Sequence, residues 1–145
     1  MSDPEFIGEC LCGAVMFRVV GPTKWCAHCH CSMCRRAHGA AFVTWFGVPL
    51  DQFEVLTGAE RLNWYGSSTD AERGFCDQCG STILFRSTRW SDEMHIVLAN
   101  IEGAIDREPA AHVFFETHVE WLKFDDGLMR LGGPTGTEPL DDGSP

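Results

Sequence analysis

Apolar and polar residues alternate over short stretches along most of this chain, and a period of two predicts strands rather than helices. The first stretch runs from Cys10 to Val20 and stops at Gly21-Pro22; its Val15, Phe17 and Val19 share a face that the pattern assigns to the core. Phe42 to Val48 is aromatic and β-branched and ends at Pro49. Phe53–Thr57, Arg61–Tyr65, Ile83–Ser87, His95–Asn100 and Ala111–Glu116 continue the series, with Gly58, Gly66 and Gly80 between them. Helical spacing is scarce, and only Cys31 to Ala41 supports a helical turn or two. From Leu131 onward Gly, Pro, Thr and Asp dominate, so 131–145 is expected to be a flexible tail. The expected class is therefore mainly β with little helix, in one domain over 8–125, and residues 1–7 are set apart as a lead that carries no argument.

Length and composition narrow the partners. A chain of 145 residues with 44% hydrophobic content is one domain by expectation, long enough for a core. A formal net charge of −10 argues against binding a nucleic-acid backbone and favours small molecules or basic partners. No apolar run approaches the length of a bilayer span, and Met1 to Glu9 lacks the charged start and apolar centre of a signal peptide, so a cytoplasmic protein is expected. In that compartment eight cysteines are read as metal ligands rather than disulfides.

Their spacing says which metals. Cys76-Asp77-Gln78-Cys79-Gly80 is a zinc knuckle, whose tight turn aims backbone N–H groups at two sulfurs and whose Gly tolerates positive φ just after the second. A knuckle supplies two ligands and needs two more. Cys10 and Cys12 are the natural complement, making a closed four-cysteine site across distant positions. Between them, Cys26, Cys29, Cys31 and Cys34 fall within nine positions and Arg35-Arg36 follow at once. Three thiolates there would leave zinc's fourth position free for a substrate, whereas closure by Cys26, His28 or His30 would make a second structural site. If Trp25 to Cys29 is extended, Cys26 lies on the opposite face from Cys29, since their separation is odd, although a turn at Ala27-His28 would bring it round. Arg35 and Arg36 offer guanidinium charge to a thiolate-rich centre or to a substrate carboxylate, against the plainer reading of a solvated pair. His95 and His112 sit in apolar strands, where a hydrogen-bonded core histidine is the commoner case.

In order, Gly8-x-Cys10-x-Cys12-Gly13, Cys29-His30-Cys31-x-x-Cys34-Arg35-Arg36 and Phe75-Cys76-x-x-Cys79-Gly80-Ser81 resemble the glutathione-dependent formaldehyde-activating enzyme family, which shares its domain with centromere protein V. The resemblance runs from about Gly8 to about Trp121, and Tyr65, Ser67, Ser68, Arg73, His112 and Trp121 also follow the family pattern. It implies a β-tent zinc fold of short antiparallel strands and two zinc ions. One is structural, on Cys10, Cys12, Cys76 and Cys79; the other is catalytic, on Cys29, Cys31 and Cys34. Cys26 departs from the family motif. The implied activity is a carbon–sulfur lyase type, joining glutathione or a similar thiol to formaldehyde or another small aldehyde, with Arg35, Arg36 and His112 as candidate catalytic residues. The alternative is a non-catalytic zinc scaffold or interaction module. The acidity of this chain, and the lack of a long basic extension, weaken that option.

Overall fold

A computed structural model describes residues 3–140. Its elements are β1 (Glu5–Glu9), β2 (Met16–Val20), β3 (Trp25–Cys29), α1 (Ser32–His38), β4 (Val43–Pro49), β5 (Phe53–Thr57), β6 (Leu62–Ser68), β7 (Ala71–Cys76), β8 (Thr82–Ser87), β9 (Glu93–Val97), β10 (Ala111–Val113), β11 (Met129–Gly132) and β12 (Glu138–Pro139). The protein is mainly β with one short α-helix, the class expected from the alternation. Its contacts divide into two units: one holds the chain up to Trp25 with Phe46–Arg107, the other Cys26–Trp45 with the chain from Glu108 on. β3 and β4 each run from one unit into the other.

In the first unit, β1 and β2 form an antiparallel hairpin and β5 adds to β2. This corrects the single strand expected from Cys10 to Val20, and it places β1 across the stretch set apart as a lead, with Phe6 buried. The reason lies at Gly13, whose φ of +80° turns the chain while its N–H donates to Cys10 O at 3.1 Å. Val15, Phe17 and Val19 are fully buried, as the period predicted. β6, β7, β8 and β9 follow as an antiparallel meander. β7 was not expected, because Arg73 and Gly74 interrupt its pattern. Arg73 is nonetheless buried, its guanidinium 5.1 Å from the centre of the Phe85 ring. β9 buries every residue, including Glu93, whose carboxylate accepts from Lys24 Nζ at 2.7 Å, Trp25 Nε1 at 3.1 Å and His95 Nε2 at 2.9 Å.

In the second unit, β10 lies between β3 and β11 and is parallel to both, a departure from a purely antiparallel set. The register sets His112 opposite His28 and Val113 opposite Cys29. β10 is shorter than the expected Ala111–Glu116 because Phe114 takes φ +51° and turns the chain into a 3-10 turn, Phe115–Thr117, that buries Phe115. β11 pairs with β12 at Leu131↔Pro139 and Gly132↔Glu138. A short hairpin thus stands over 131–139 where a flexible tail was expected, and the remainder of that stretch from 141 to 145 lies outside the described residues. The helix falls where one or two helical turns were expected; it buries Cys34 and ends at Gly39 (φ +60°), whose N–H donates to Arg35 O.

Candidate functional site

The first cysteine group is built from two turns of the first unit. The turn after β1 carries Cys10 and Cys12, and Val15 N–H donates to Cys10 Sγ at 3.3 Å. The turn between β7 and β8 carries Cys76 and Cys79, with Gly80 N–H on Cys76 O at 2.8 Å and Gly80 at φ +81°. The ligand atoms of all four cysteines lie within 4.8 Å of one another; among the described residues they are the one set of three or more His, Cys, Asp or Glu that does so. Cys10 and Cys12 sulfurs are 3.7 Å apart, and Cys12 and Cys76 sulfurs 3.8 Å. A tetrahedral zinc with Zn–S near 2.3 Å requires about 3.8 Å along each edge, so the donors fit that ion in type, number and spacing.

Two residues finish this site: Ser81, which the sequence reading placed in the family motif without a role, and Gln78, which it did not single out. Ser81 Oγ accepts Leu11 N–H at 2.9 Å, tying one turn to the other, and lies 3.3 Å from Cys79 Sγ, where its hydroxyl donates once that sulfur is a thiolate. Gln78 Nε2 donates to Cys12 Sγ at 3.4 Å. Burial pushes the Cys76 thiol up to about 11. Burial also opposes ionisation of Cys79, but hydrogen bonds from Ser81 and Cys12 outweigh it and bring Cys79 down to about 6.

The second group belongs to the second unit, at the junction of β3 and α1. Cys29 ends the strand, Cys31 caps the helix and Cys34 is the one residue the helix buries. Cys29 Sγ lies 3.6 Å from Cys34 Sγ. The hydrogen bond with Cys34, reinforced by burial, raises the Cys31 thiol well above its ordinary value; the three sulfurs do not all lie within 4.8 Å of one another, as the four of the first group do. The donors fit zinc in type, since thiolates are soft ligands, while their spacing is wider than in the first group. Cys26 is buried on β3 one residue before Ala27, with the whole span Trp25–Cys29 extended, so alternation turns it from Cys29 as expected. The turn at Ala27-His28 does not occur.

Around this group stands a histidine cluster. His30 is fully buried among the rings of Phe42, Phe115 and Phe124, at centroid distances of 5.4, 4.9 and 5.1 Å. Its Nε2 lies 2.8 Å from His112 Nδ1, and His112 Nε2 lies 2.7 Å from Asp126 Oδ2. Burial first, then the neighbouring His112, His118, His28 and Arg35, hold His30 down to about 3, so its ring is neutral. The Leu128 amide, more than His112, keeps Asp126 below the usual carboxylate range in spite of a small opposing desolvation, so it is ionised at neutral pH. His28 Nδ1 bonds instead to Thr44 Oγ1 at 2.8 Å. Asp126 was invisible in the sequence; His30 was read there as a possible fourth ligand, whereas its ring nitrogen Nε2 goes to His112.

The arginines differ. Arg35 is half-buried and its Nε is enclosed without a hydrogen-bond partner, whereas Arg36 is exposed. Neither makes an ion pair among the described residues. Tyr65, Ser67, Ser68 and Arg73 belong to β6 and β7 of the first unit, and Trp121, 75% exposed, to the second.

Comparison with known proteins identifies the family. The family model "Glutathione-dependent formaldehyde-activating enzyme" matches residues 5–117. A Halomonas elongata protein assigned provisionally by its name to the same enzymes is 32% identical over 126 residues, covering 81% of this chain and 80% of its own. An uncharacterised lyase of Schizosaccharomyces pombe is 33% identical over 59% of this chain and 60% of its own. The crystal structure of a Rhodobacter sphaeroides protein superposes with a TM-score of 0.57 at 30% identity, covering 70% of this chain and 92% of that one. With a family match over most of its length and the family's cysteines gathered in two groups, the chain belongs to the glutathione-dependent formaldehyde-activating enzyme family.

Proposed function

We propose that this protein is a carbon–sulfur lyase-type enzyme of the cytoplasm that joins glutathione or a similar thiol to formaldehyde or a related small aldehyde. It would carry one structural zinc on Cys10, Cys12, Cys76 and Cys79 and one catalytic zinc on Cys29, Cys31 and Cys34. The observation that carries the reading is the second group, in which Cys29 and Cys34 sulfurs lie 3.6 Å apart with Cys31 hydrogen-bonded to Cys34; three such thiolates would leave zinc a fourth position for a substrate. When bound there, zinc supplies a soft positive charge at which a substrate thiol loses its proton and stays nucleophilic.

The chain's own groups orient that thiol. Arg35, half-buried with its Nε unpartnered, presents the forked donors that match a carboxylate of glutathione. Arg36, exposed, adds attraction at longer range. In the addition a bond forms between the thiol sulfur and the carbonyl carbon, the carbonyl π pair moves onto oxygen, and the thiol's proton ends on that oxygen as a hydroxyl. The atoms balance without oxidant or reductant.

The test is a rate measurement, because formaldehyde and glutathione also combine in buffer. S-(hydroxymethyl)glutathione formation, followed by exchange NMR, is expected to run faster with the zinc-loaded protein than without it, and calorimetry is expected to show zinc-dependent glutathione binding at millimolar concentration or below. Equal rates together with no binding would leave a zinc scaffold instead.

A further inference from the structure

We propose that Thr117 and Asp126 are positioning residues for the Cys29-x-Cys31 pair, acting through His30 and His112; this rests on the reading of Cys29, Cys31 and Cys34 as zinc ligands. His30 is the residue between the two cysteines, so its φ and ψ decide where their sulfurs stand relative to one another. Every polar handle it has on the main chain is held. Its N–H donates to Val113 O at 3.0 Å, and its C=O accepts the hydroxyl of Thr117 at 2.8 Å, a donor shared with Phe114 O at 3.0 Å. Its side chain is held as well, through Nε2 to His112 Nδ1 at 2.8 Å. The partners come from β10 and the turn after it, 82 and 87 residues further along the chain.

The direction of the side-chain bonds follows from Asp126. An ionised carboxylate only accepts, so His112 Nε2 carries a proton and donates to it at 2.7 Å. Where His112 Nδ1 accepts, His30 donates from Nε2, which leaves His30 Nδ1 bare. That nitrogen is the one enclosed without a partner. His112 is fully buried and both of its ring nitrogens are taken, one by His30 and one by Asp126. With no nitrogen left for a substrate, it works as a support, in place of the catalytic role that the resemblance implied for it. Metal sites require donor distances within about 0.2 Å, and outer groups that orient ligands change metal affinity by about 10- to 100-fold when removed. A clamp on the backbone between two ligands acts in the same way.

The experiment compares the affinity of the full-length protein's two zinc ions by competition with a chromophoric chelator, together with the sulfur-to-cobalt charge-transfer bands of the cobalt-substituted protein. Thr117→Val and Asp126→Asn are each expected to weaken one of the two ions about tenfold or more and to leave the other unchanged, while Thr117→Ser restores wild-type affinity. Imidazole 15N spectra of the wild type are expected to show the Nε2–H tautomer at both His30 and His112. Unchanged affinities in both variants, a parallel loss of both ions, or an Nδ1–H tautomer at either ring would overturn the positioning role. Cys31→Ser separates this from its premise: if that variant kept both ions, the ligand assignment itself would fall, and the positioning role with it.

Discussion

The two cysteine groups solve the same problem in opposite ways. In the first unit each C-x-C or C-x-x-C is shaped by its own turn: Gly13 and Gly80 at positive φ, hydrogen bonds that close within a few residues, and Ser81 linking one turn to the other. In the second unit the cysteines straddle a strand end and a helix start, and the residue between two of them is held by β10, the turn after it and a buried histidine. The first group joins segments 64 residues apart, so metal bound there is a cross-link of the fold. The second joins sulfurs five residues apart and cross-links little. On the function proposed above, local turns suit the site that holds the fold, and a clamp from elsewhere in the chain suits the one whose donors stay aimed while a ligand comes and goes.

The largest effect that would break this contrast is on folding. Binding at the four-cysteine group contributes on the order of 10 kcal/mol in small zinc modules, comparable with the whole stability of a domain. Cys76→Ser or Cys12→Ser is therefore expected to unfold or aggregate the protein, judged by circular dichroism and gel filtration. Cys31→Ser and Cys29→Ala should stay folded with one zinc fewer, and Cys26→Ala should keep both. Equal loss of fold from Cys76→Ser and Cys31→Ser would erase the distinction.

A smaller effect concerns the arginines, and sharpens what the second group is for. Arg35→Ala is expected to weaken binding of glutathione by about tenfold, as loss of a charge-assisted pair of hydrogen bonds does, and to leave β-mercaptoethanol nearly unaffected. Arg36→Ala, exposed from the start, should do less. Calorimetry with both thiols checks this, and parallel losses for the two would remove Arg35 from carboxylate recognition.

The smallest expected effect is on pH dependence in the first unit. Burial lowers the pKa of His95 from its ordinary value of 6.5, against an opposing bond to Glu93. Because the unfolded state binds the proton more readily, this residue's contribution to stability is complete above pH 6.5 and is lost as pH falls below it, with a slope of at most about 1.4 kcal/mol per pH unit. His95→Gln, which keeps a donor for Glu93, should flatten that part of the urea-midpoint profile between pH 6.5 and 5. An unchanged profile would mean that His95 titrates alike in both states.

How much of this was legible follows from how far apart the deciding residues lie. β5 was read to its ends because Phe53–Thr57 alternates and is bounded by its own punctuation. The four-cysteine group was legible because each half is a local motif and only the pairing had to be inferred. The hairpin at Cys10 was misread because the apolar spacing continues through the turn while Gly13 bends it. β11 and β12 were missed because their Gly, Pro and Thr residues look like a tail until the chain pairs with itself. The His30, His112 and Asp126 chain joins residues 82 and then 14 apart, and nothing local to any of them announces the other two.

Cys12 is the exposed corner of the four-sulfur group, while Cys10 and Cys76 are buried and Cys79 is intermediate, and Leu11 beside it is 84% exposed. An oxidant arriving from solvent therefore meets one particular sulfur first. Its neighbour Cys76 Sγ is 3.8 Å away, and the two need only approach to about 2 Å to bond with each other. The same closeness that suits the four sulfurs to a metal ion also suits them to a disulfide. Oxidation at this group is therefore expected to begin at Cys12 and to take Cys76 as its partner.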